Sequence, residues 1–200
     1  KNLSDDEFLD IKINWLIQNK RIENLENLLK TNVQVSEKPK ALRSLVEEYL
    51  SLADIKSACD KIKYANKSLQ NDFLEKFKIY CLIYEDRKNE AQLVLDLLKE
   101  RGFKDPFFEN KINFLLGVKE NTSQEIVDDN IFNFYLSQIT SKNFSYQPNE
   151  KTNKYIWRYL SSANLIEIEN FEDEEIITTY EKAASSGTYD KKEIGRASCR

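Results

Sequence analysis

The sequence contains no histidine and very little glycine or proline. Its 200 residues include four Gly and three Pro, whereas average usage would give roughly 24 of the two together. Hairpin turns and irregular loops depend on Gly and Pro, so this scarcity argues against a β-sandwich or barrel and favours a helical chain. The absence of His excludes catalytic triads with a His base, His-ligated metals and His-based pH switches.

A basic excess and long apolar runs are also lacking. Lys and Arg total 30 against 34 Asp and Glu, which gives a formal net charge of −4. Proteins that neutralise several nucleic-acid phosphates or bind anionic membrane surfaces usually carry a basic excess, so neither is expected as a partner. No apolar run approaches the roughly 20 residues that a membrane-spanning helix needs, so we expect no direct membrane insertion.

Motifs for cofactor binding or catalysis are likewise missing. The glycines form neither a phosphate-binding loop nor a nucleophile elbow, and no segment has the carboxylate spacing of a calcium loop. Acidic clusters such as Asp5-Asp6-Glu7 stand mostly at predicted helix starts, where they suit the positive end of the helix dipole. We therefore expect no catalytic residue, no metal and no cofactor, and we predict that the chain is not an enzyme.

Apolar residues recur at helical spacing along most of the chain. One stripe follows the i, i+3, i+4, i+7, i+8 pattern of an amphipathic helix: Leu42, Leu45, Val46, Tyr49 and Leu50. Asp105-Pro106 is typical of a helix start, and Gly102 is typical of a helix end. These signals predict an all-α protein with ten helices, at about 5–18, 21–30, 38–52, 54–65, 72–86, 88–101, 106–116, 125–140, 150–162 and 173–186.

The predicted helices recur with a period of about 34 residues. The odd-numbered helices begin near residues 5, 38, 72 and 106. Segments 20–30 and 89–99 both end in Leu-Leu-Lys, two periods apart. Apolar residues of the even-numbered helices recur at 34 and 35 residues, in the sets Leu28, Ile62 and Leu97, and Leu25, Cys59 and Val94. The second set is predicted to occupy equivalent inward positions.

A helix–turn–helix unit of this length resembles the bacterial tetratricopeptide-like α-solenoid proteins. The resemblance covers roughly residues 1–120 and is one of length and pattern, because the family's Gly between paired helices is absent from all three turns. It implies antiparallel helix hairpins stacked as a right-handed α-solenoid, with a concave surface for binding proteins or peptides. The alternative is an irregular helical bundle whose spacing is coincidental.

Three regions are expected along the chain. Residues 1–120 form the repeat array, and residues 121–187 form a further aromatic-rich helical region that continues or caps it. Residues 188–200 are expected to be a disordered tail, of which 193–200 resembles a vector- or adapter-derived extension. Since the sequence has no Met, we expect it to be an interior fragment of a longer protein.

Cys59 and Cys81 lie at mirror positions about the predicted turn at 66–71, each on the apolar stripe of its helix. They are therefore predicted to face each other, and they are candidates for a disulfide. A disulfide would indicate an oxidising compartment such as the bacterial periplasm or cell envelope. Two free thiols in the core would indicate the cytoplasm instead.

Aromatic residues are concentrated in the last third of the chain, where two interpretations remain open. At helical spacing they can form a core, or a subset can line a groove for a peptide. The candidate partner-binding residues are Phe132, Tyr135, Tyr146, Trp157 and Tyr159.

The function predicted from the sequence is a non-catalytic helical-repeat scaffold or adaptor that binds a protein or peptide. The alternative is an accessory helical domain of a larger enzyme whose catalytic domain lies outside this fragment. Helical-repeat RNA binding is ranked last, because it requires a basic stripe and the lysines here are dispersed among acids.

Overall fold

The structure is a computed structural model, and it describes residues 3–66, 69–166 and 174–185. These residues form ten α-helices and a short 3₁₀ helix at Val33–Glu37, with no strand among them, which confirms the all-α class. The predicted tail at 188–200, including 193–200, lies outside the described residues. The helices are α1 (Asp5–Gln18), α2 (Ile22–Thr31), α3 (Pro39–Ser51), α4 (Ile55–Ile62), α5 (Asp72–Tyr84), α6 (Lys88–Glu100), α7 (Pro106–Leu116), α8 (Ile131–Thr140), α9 (Lys154–Ser162) and α10 (Glu174–Ser185).

The chain divides into two compact units. Unit 1 comprises Lys1–Tyr49 and Ile55–Phe103, and unit 2 comprises Leu50–Asp54 and Lys104–Arg200. Helix α7 therefore belongs to unit 2, and the boundary expected near residue 120 falls inside that unit.

Side-chain caps explain where several helices begin. Ser4 and Glu7 form a capping box at α1: the Ser4 hydroxyl accepts from the Glu7 N–H at 3.3 Å, and the Glu7 carboxylate accepts from the Ser4 N–H at 2.8 Å. The hydrogen bonds that the Glu7 carboxylate accepts from the N–H and from the hydroxyl of Ser4 lower the pKa of Glu7. The side chains of Asn71 and Asp105 accept in the same way from the first turns of α5 and α7.

The turns after α1, α3 and α5 share one backbone geometry. Two residues beyond each helix the backbone enters the left-handed region, with φ of 53° at Lys20, 55° at Ala53 and 59° at Asp86. In the first and third turns the next residue, Arg21 or Arg87, donates its N–H at 2.8 Å to the carbonyl five residues earlier, as in a Schellman motif. Consecutive left-handed positions are 33 residues apart.

The buried faces of α2, α4 and α6 recur with the same spacing of 33 residues. The residues at these positions are at most 6% exposed: Leu25, Ala58 and Ala91, and Leu29, Ile62 and Leu95. The predicted alignment at 34 and 35 residues is therefore wrong for α6, because Val94 is only half-buried and Leu97 is 49% exposed. Helix α6 carries apolar residues on two faces, and the predicted alignment used the outer face.

Helix α5 is covered on most of its circumference. It contacts both α4 and α6. The rings of Phe73 and Phe77 lie 6.4 Å apart, and the Arg43 guanidinium of α3 lies 4.6 Å from the centre of the Phe73 ring. Seven of the 13 residues of α5 are buried: Phe73, Leu74, Phe77, Ile79, Tyr80, Cys81 and Leu82.

A half-buried polar cluster connects α2, α3 and α4. The Glu26 carboxylate accepts hydrogen bonds from the Tyr49 hydroxyl and from the Lys61 ammonium, the latter at 2.8 Å. The Lys61 ammonium also lies 4.9 Å from the centre of the Tyr49 ring. Burial by itself would raise the pKa of Glu26, but the hydrogen bonds from Lys61 and Tyr49 outweigh it and lower that pKa.

In unit 2, helix α8 contacts both α7 and α9. Eight of its ten residues are buried, including two hydroxyl side chains. Ser137 and Thr140 each donate to the carbonyl four residues earlier, at 2.9 and 2.7 Å, so the core accommodates these hydroxyls without leaving them unsatisfied.

A disulfide joins α4 to α5 in unit 1. It links Cys59 and Cys81, whose Cα atoms are 5.5 Å apart. Both residues are buried, at 2% and 4% exposure.

Replacing Lys20 by Gly tests the left-handed turn. A non-Gly residue in this region costs about 1 kcal/mol, and Gly removes the clash between Cβ and the carbonyl oxygen. We expect Lys20→Gly to raise the free energy of unfolding by about 0.5–1 kcal/mol in chemical denaturation. The matched control is Lys12→Gly inside α1, which is expected to lower it by about 1 kcal/mol. A loss of stability in Lys20→Gly would contradict the turn geometry.

Alkylation and reduction test the disulfide. Intact mass should show one alkylated thiol in unreduced, denatured protein and three after reduction, because the chain has three Cys and the bridge takes up two of them. Since the bridge spans 22 residues, reduction should lower the free energy of unfolding by about 3 kcal/mol in the chain-entropy model. Cys199→Ala should leave that loss unchanged. Alkylation of Cys59 and Cys81 without reductant would contradict the pairing.

Candidate functional site

The structure places the candidate partner-binding aromatic residues mainly in the core of unit 2. Phe132, Tyr135, Trp157 and Tyr159 are at most 6% exposed. Phe134, a core residue that was not among the candidates, organises part of this cluster, because its ring lies at steep angles to those of Phe144, Tyr146 and Tyr159. The core interpretation of the aromatic stretch is therefore favoured over the partner-facing one.

Tyr146 differs from the other four candidates because it is only half-buried. Its hydroxyl donates to the Asp128 carboxylate at 2.5 Å and lies 3.2 Å from the Thr152 hydroxyl. Burial, followed by the contact with Asp128, raises the pKa of Tyr146 to about 12. The hydroxyl thus connects two loop positions to each other.

Unit 1 instead contains an open apolar cleft, here called the α4–α6 groove. Its volume is about 620 Å³, within the range of ligand-binding pockets. It lies between the end of α4, the start of α5 and the second half of α6. The apolar wall consists of Ile62, Ala65, Leu69, Leu74, Val94 and Leu97.

The rim of the α4–α6 groove carries both signs of charge equally. Arg101 and Glu75 form a bidentate ion pair across the groove, with N–O distances of 3.1 and 2.9 Å. Lys78 and Glu100 add one cation and one anion. An equal number of cations and anions gives no net attraction for a phosphate or for a strongly charged peptide.

Asn66 anchors one edge of the groove to an earlier part of unit 1. Its backbone N–H donates to the Ser36 carbonyl at 3.2 Å, and its side-chain amide donates to the Glu37 carboxylate at 2.9 Å. Its own carbonyl accepts from the Leu69 N–H at 3.0 Å. This edge is therefore fixed by hydrogen bonds to the 3₁₀ helix as well as by the chain itself.

Sequence reasoning missed this groove, although a signal was present. Leu93, Val94 and Leu97 form a second apolar stripe on α6, beside the stripe that packs inward. A helix with two apolar faces needs more cover than one neighbouring core provides. The sequence prediction placed Val94 inward, and the role of this stripe at the surface was overlooked.

Unit 2 has a smaller cleft of about 370 Å³. It is lined by residues of the loop before α9 and by residues of α9 and α10. An ion pair between Lys182 and Glu150 lies among its lining residues, together with Thr152, Lys154 and Thr179. Its lining is mostly polar, so it offers less apolar surface to a partner than the α4–α6 groove.

Among residues 3–66, 69–166 and 174–185, no three His, Cys, Asp or Glu side chains lie close enough to share a metal ion. None of the helices in this part of the chain combines the length and hydropathy needed to cross a membrane.

Lys111 of α7 is a buried cation in the core of unit 2. Its side chain is fully buried, and its ammonium donates to the Ser123 carbonyl at 2.6 Å and lies 5.4 Å from the centre of the Phe107 ring. Burial lowers the pKa of Lys111, against a smaller opposing effect of Glu125. A fully buried amine is out of reach of a substrate, so its contacts indicate a role in holding the loop after α7.

No family model, curated protein or solved structure matches this chain.

The pH dependence of stability tests the burial of Lys111. When a Lys pKa is lower in the folded than in the unfolded chain, stability rises with pH between the two values, because the unfolded chain then binds more protons. The difference in unfolding free energy between wild type and Lys111→Met should therefore increase in favour of wild type as pH rises from 7.5 toward about 10. The exposed Lys142→Met should show no such trend. If the difference in unfolding free energy between wild type and Lys111→Met stays constant over this pH range, the prediction is wrong.

Proposed function

We propose that this protein is a non-catalytic helical scaffold that binds a segment of a partner protein in the α4–α6 groove. The observation that supports this most directly is the exposed apolar wall of the groove. Leu97 keeps 49% of its surface in water although its neighbours Leu95 and Leu98 are buried. Covering the exposed half of this side chain stabilises a complex by about 1 kcal/mol.

The chemistry of the groove defines the segment that fits it. Its apolar wall requires a stripe of apolar side chains, and its balanced rim favours a segment with little net charge. An amphipathic helix or a short extended peptide meets both conditions. Opposite charges on the segment can pair with Lys78 and Glu100, which adds orientation more than affinity.

The helix pairs of unit 1 are further proposed to be hairpins stacked as a right-handed array similar to the tetratricopeptide-like solenoids. The left-handed turns of unit 1 at Lys20 and Asp86 support this, together with the recurrence of buried positions on α2, α4 and α6. Stacked hairpins bury their core between neighbours and leave continuous surfaces for binding.

The disulfide supports the proposal that the protein functions in an oxidising compartment. Bridges such as Cys59–Cys81 persist in secreted and periplasmic proteins and are rare in the cytosol. A periplasmic or cell-envelope location is therefore proposed for the scaffold.

Two substitutions on α6 test the groove. The wild-type chain is used to capture partners from native cell extract, and captured proteins are identified by mass spectrometry. Leu97→Asp puts a carboxylate into the apolar wall, so we expect it to weaken capture at least about tenfold. The matched control is Leu93→Asp on the same helix, because Leu93 is 60% exposed and lies outside the groove.

Both variants should retain the helical circular dichroism of the wild type, since both residues are largely exposed. Loss of the same partners in Leu97→Asp and Leu93→Asp, or in neither, would refute binding at this groove. Partners lost only in Leu97→Asp identify the proteins whose segments are then measured as synthetic peptides.

A further inference from the structure

Helix α1 exposes an apolar face, here called the α1 ridge. Phe8, Ile11 and Trp15 are 60%, 51% and 54% exposed, and their i, i+3 and i+7 spacing places them on one side of the helix. The opposite side packs inward with residues that are at most 5% exposed: Leu9, Ile13 and Leu16. Helix α1 is therefore apolar on two faces, and the ridge is the face in contact with water.

Helix α1 is held in place within unit 1. The Lys38 ammonium forms ion pairs with Asp6 and Asp10, at 2.7 and 2.9 Å, and the capping box fixes the first turn. A partner that binds the ridge therefore meets a preformed helix, and binding does not require a flexible segment to become ordered. None of the described residues that line the α4–α6 groove belongs to α1.

The α1 ridge has the chemistry that the α4–α6 groove requires of an occupant. The groove needs a helix or peptide with an apolar stripe and little net charge. On α1 the ridge supplies the stripe, and the charged residues nearest to it are Glu7 on one flank and Lys12 on the other. The flanks thus carry one nearby charge of each sign.

The walls of the groove carry charges that match these flanks. Lys78 stands on the α5 wall and Glu100 on the α6 wall, and both side chains are exposed. When the ridge faces the floor of the groove, one of the two directions of α1 brings Glu7 to the Lys78 side and Lys12 to the Glu100 side. The opposite direction brings like charges together, so the charges select one orientation.

Other exposed apolar side chains do not form a comparable stripe. Among the described residues, α1 is the helix that exposes three large apolar side chains on one side. The remaining ones stand singly, as Val33 and Val118 do, apart from Leu93 and Leu97 on the groove helix α6 itself. The α1 ridge is therefore the surface of this chain that best fits the groove.

We propose that the α1 ridge of one copy of this chain binds in the α4–α6 groove of a second copy. The proposal rests on the proposed function, because it names the partner of the same groove. The two surfaces in the contact are different, so the contact is heterologous. Each pair of copies retains one free ridge and one free groove, and further copies add to form short chains.

The small area of the ridge makes this contact weak and reversible. A stable complex buries about 800 Å² on each partner, which is more than three side chains on one helix provide. We therefore expect a dissociation constant of about 1 μM or weaker, and association that is reversed by dilution.

Sedimentation tests the contact by complementation between two variants. The mean mass of the wild type should rise above the monomer mass of 23.6 kDa between about 1 and about 200 μM. Trp15→Glu damages the ridge and Leu97→Asp damages the groove, so each variant alone should remain a monomer. An equimolar mixture should form pairs and no larger species, because Leu97→Asp supplies an intact ridge and Trp15→Glu an intact groove.

Matched controls separate the contact from general surface effects. Val33→Glu and Leu93→Asp also place a carboxylate at an exposed apolar position, and both should associate like the wild type. All variants are first compared with the wild type by circular dichroism. If Trp15→Glu loses its helical signal, Phe8→Glu replaces it in the mixture, since Phe8 is 60% exposed.

A wild type that stays monomeric over this range would overturn the proposal, and so would a mixture of the two variants that forms no pairs. Association that is lost in Trp15→Glu but retained in Leu97→Asp would show that two ridges bind each other, which also contradicts binding in the groove.

Failure of this proposal is distinguishable from failure of the proposed function. If the wild type is monomeric but Leu97→Asp alone loses partners captured from cell extract, the groove binds another protein and only self-association is refuted. If Leu97→Asp affects neither self-association nor capture, both proposals are wrong.

Discussion

Helix α5 holds unit 1 together because neighbouring helices cover it from more than one side. Its burial requires α4 and α6 to lie against it, and the disulfide fixes the first of these contacts. The same placement creates the groove, since Leu74, Glu75 and Lys78 project from α5 between the two neighbours. A change that loosened α5 would therefore alter the core and the candidate binding surface together.

The turns after α1, α3 and α5 reach their geometry without the residue that suits it best. Lys20, Ala53 and Asp86 all have positive φ, where Gly would avoid the contact between Cβ and the backbone. The surrounding interactions compensate, because the N–H groups of Arg21 and Arg87 satisfy helix carbonyls that would otherwise lack a partner. The absence of Gly from these turns thus removes a sequence signal without removing the turn.

Helix positions were predictable from local information, whereas the neighbours of each helix were not. All ten predicted helices are present in the described residues, because apolar stripes and caps such as Ser4 and Asp105 act within a few residues of the chain. The predicted start of α8 was six residues too early, since the loop before Asn130 continues the apolar pattern without forming a helix.

Exposed apolar residues were harder to distinguish from buried ones on the basis of the sequence. An apolar stripe shows that a face needs cover, but it does not show which face meets the core when a helix has two, as in α6. Because of that ambiguity the prediction placed Val94 inward, and the groove that this residue lines was overlooked. For the aromatic residues of unit 2 the sequence left two interpretations open, and only the packing around Phe134 distinguishes them.

The disulfide also determines whether the two sides of the groove stay joined when the backbone between them is cut. Cys59 and Cys81 stand on opposite sides of the connection between α4 and α5, which includes Asn66 and Leu69 at the edge of the groove. A protease that cuts this connection divides the backbone but not the molecule, because the sulfur bridge still joins the two pieces. The walls of the groove on α4 and α5 would then remain on one particle, and a partner bound there would not be released by the cut alone.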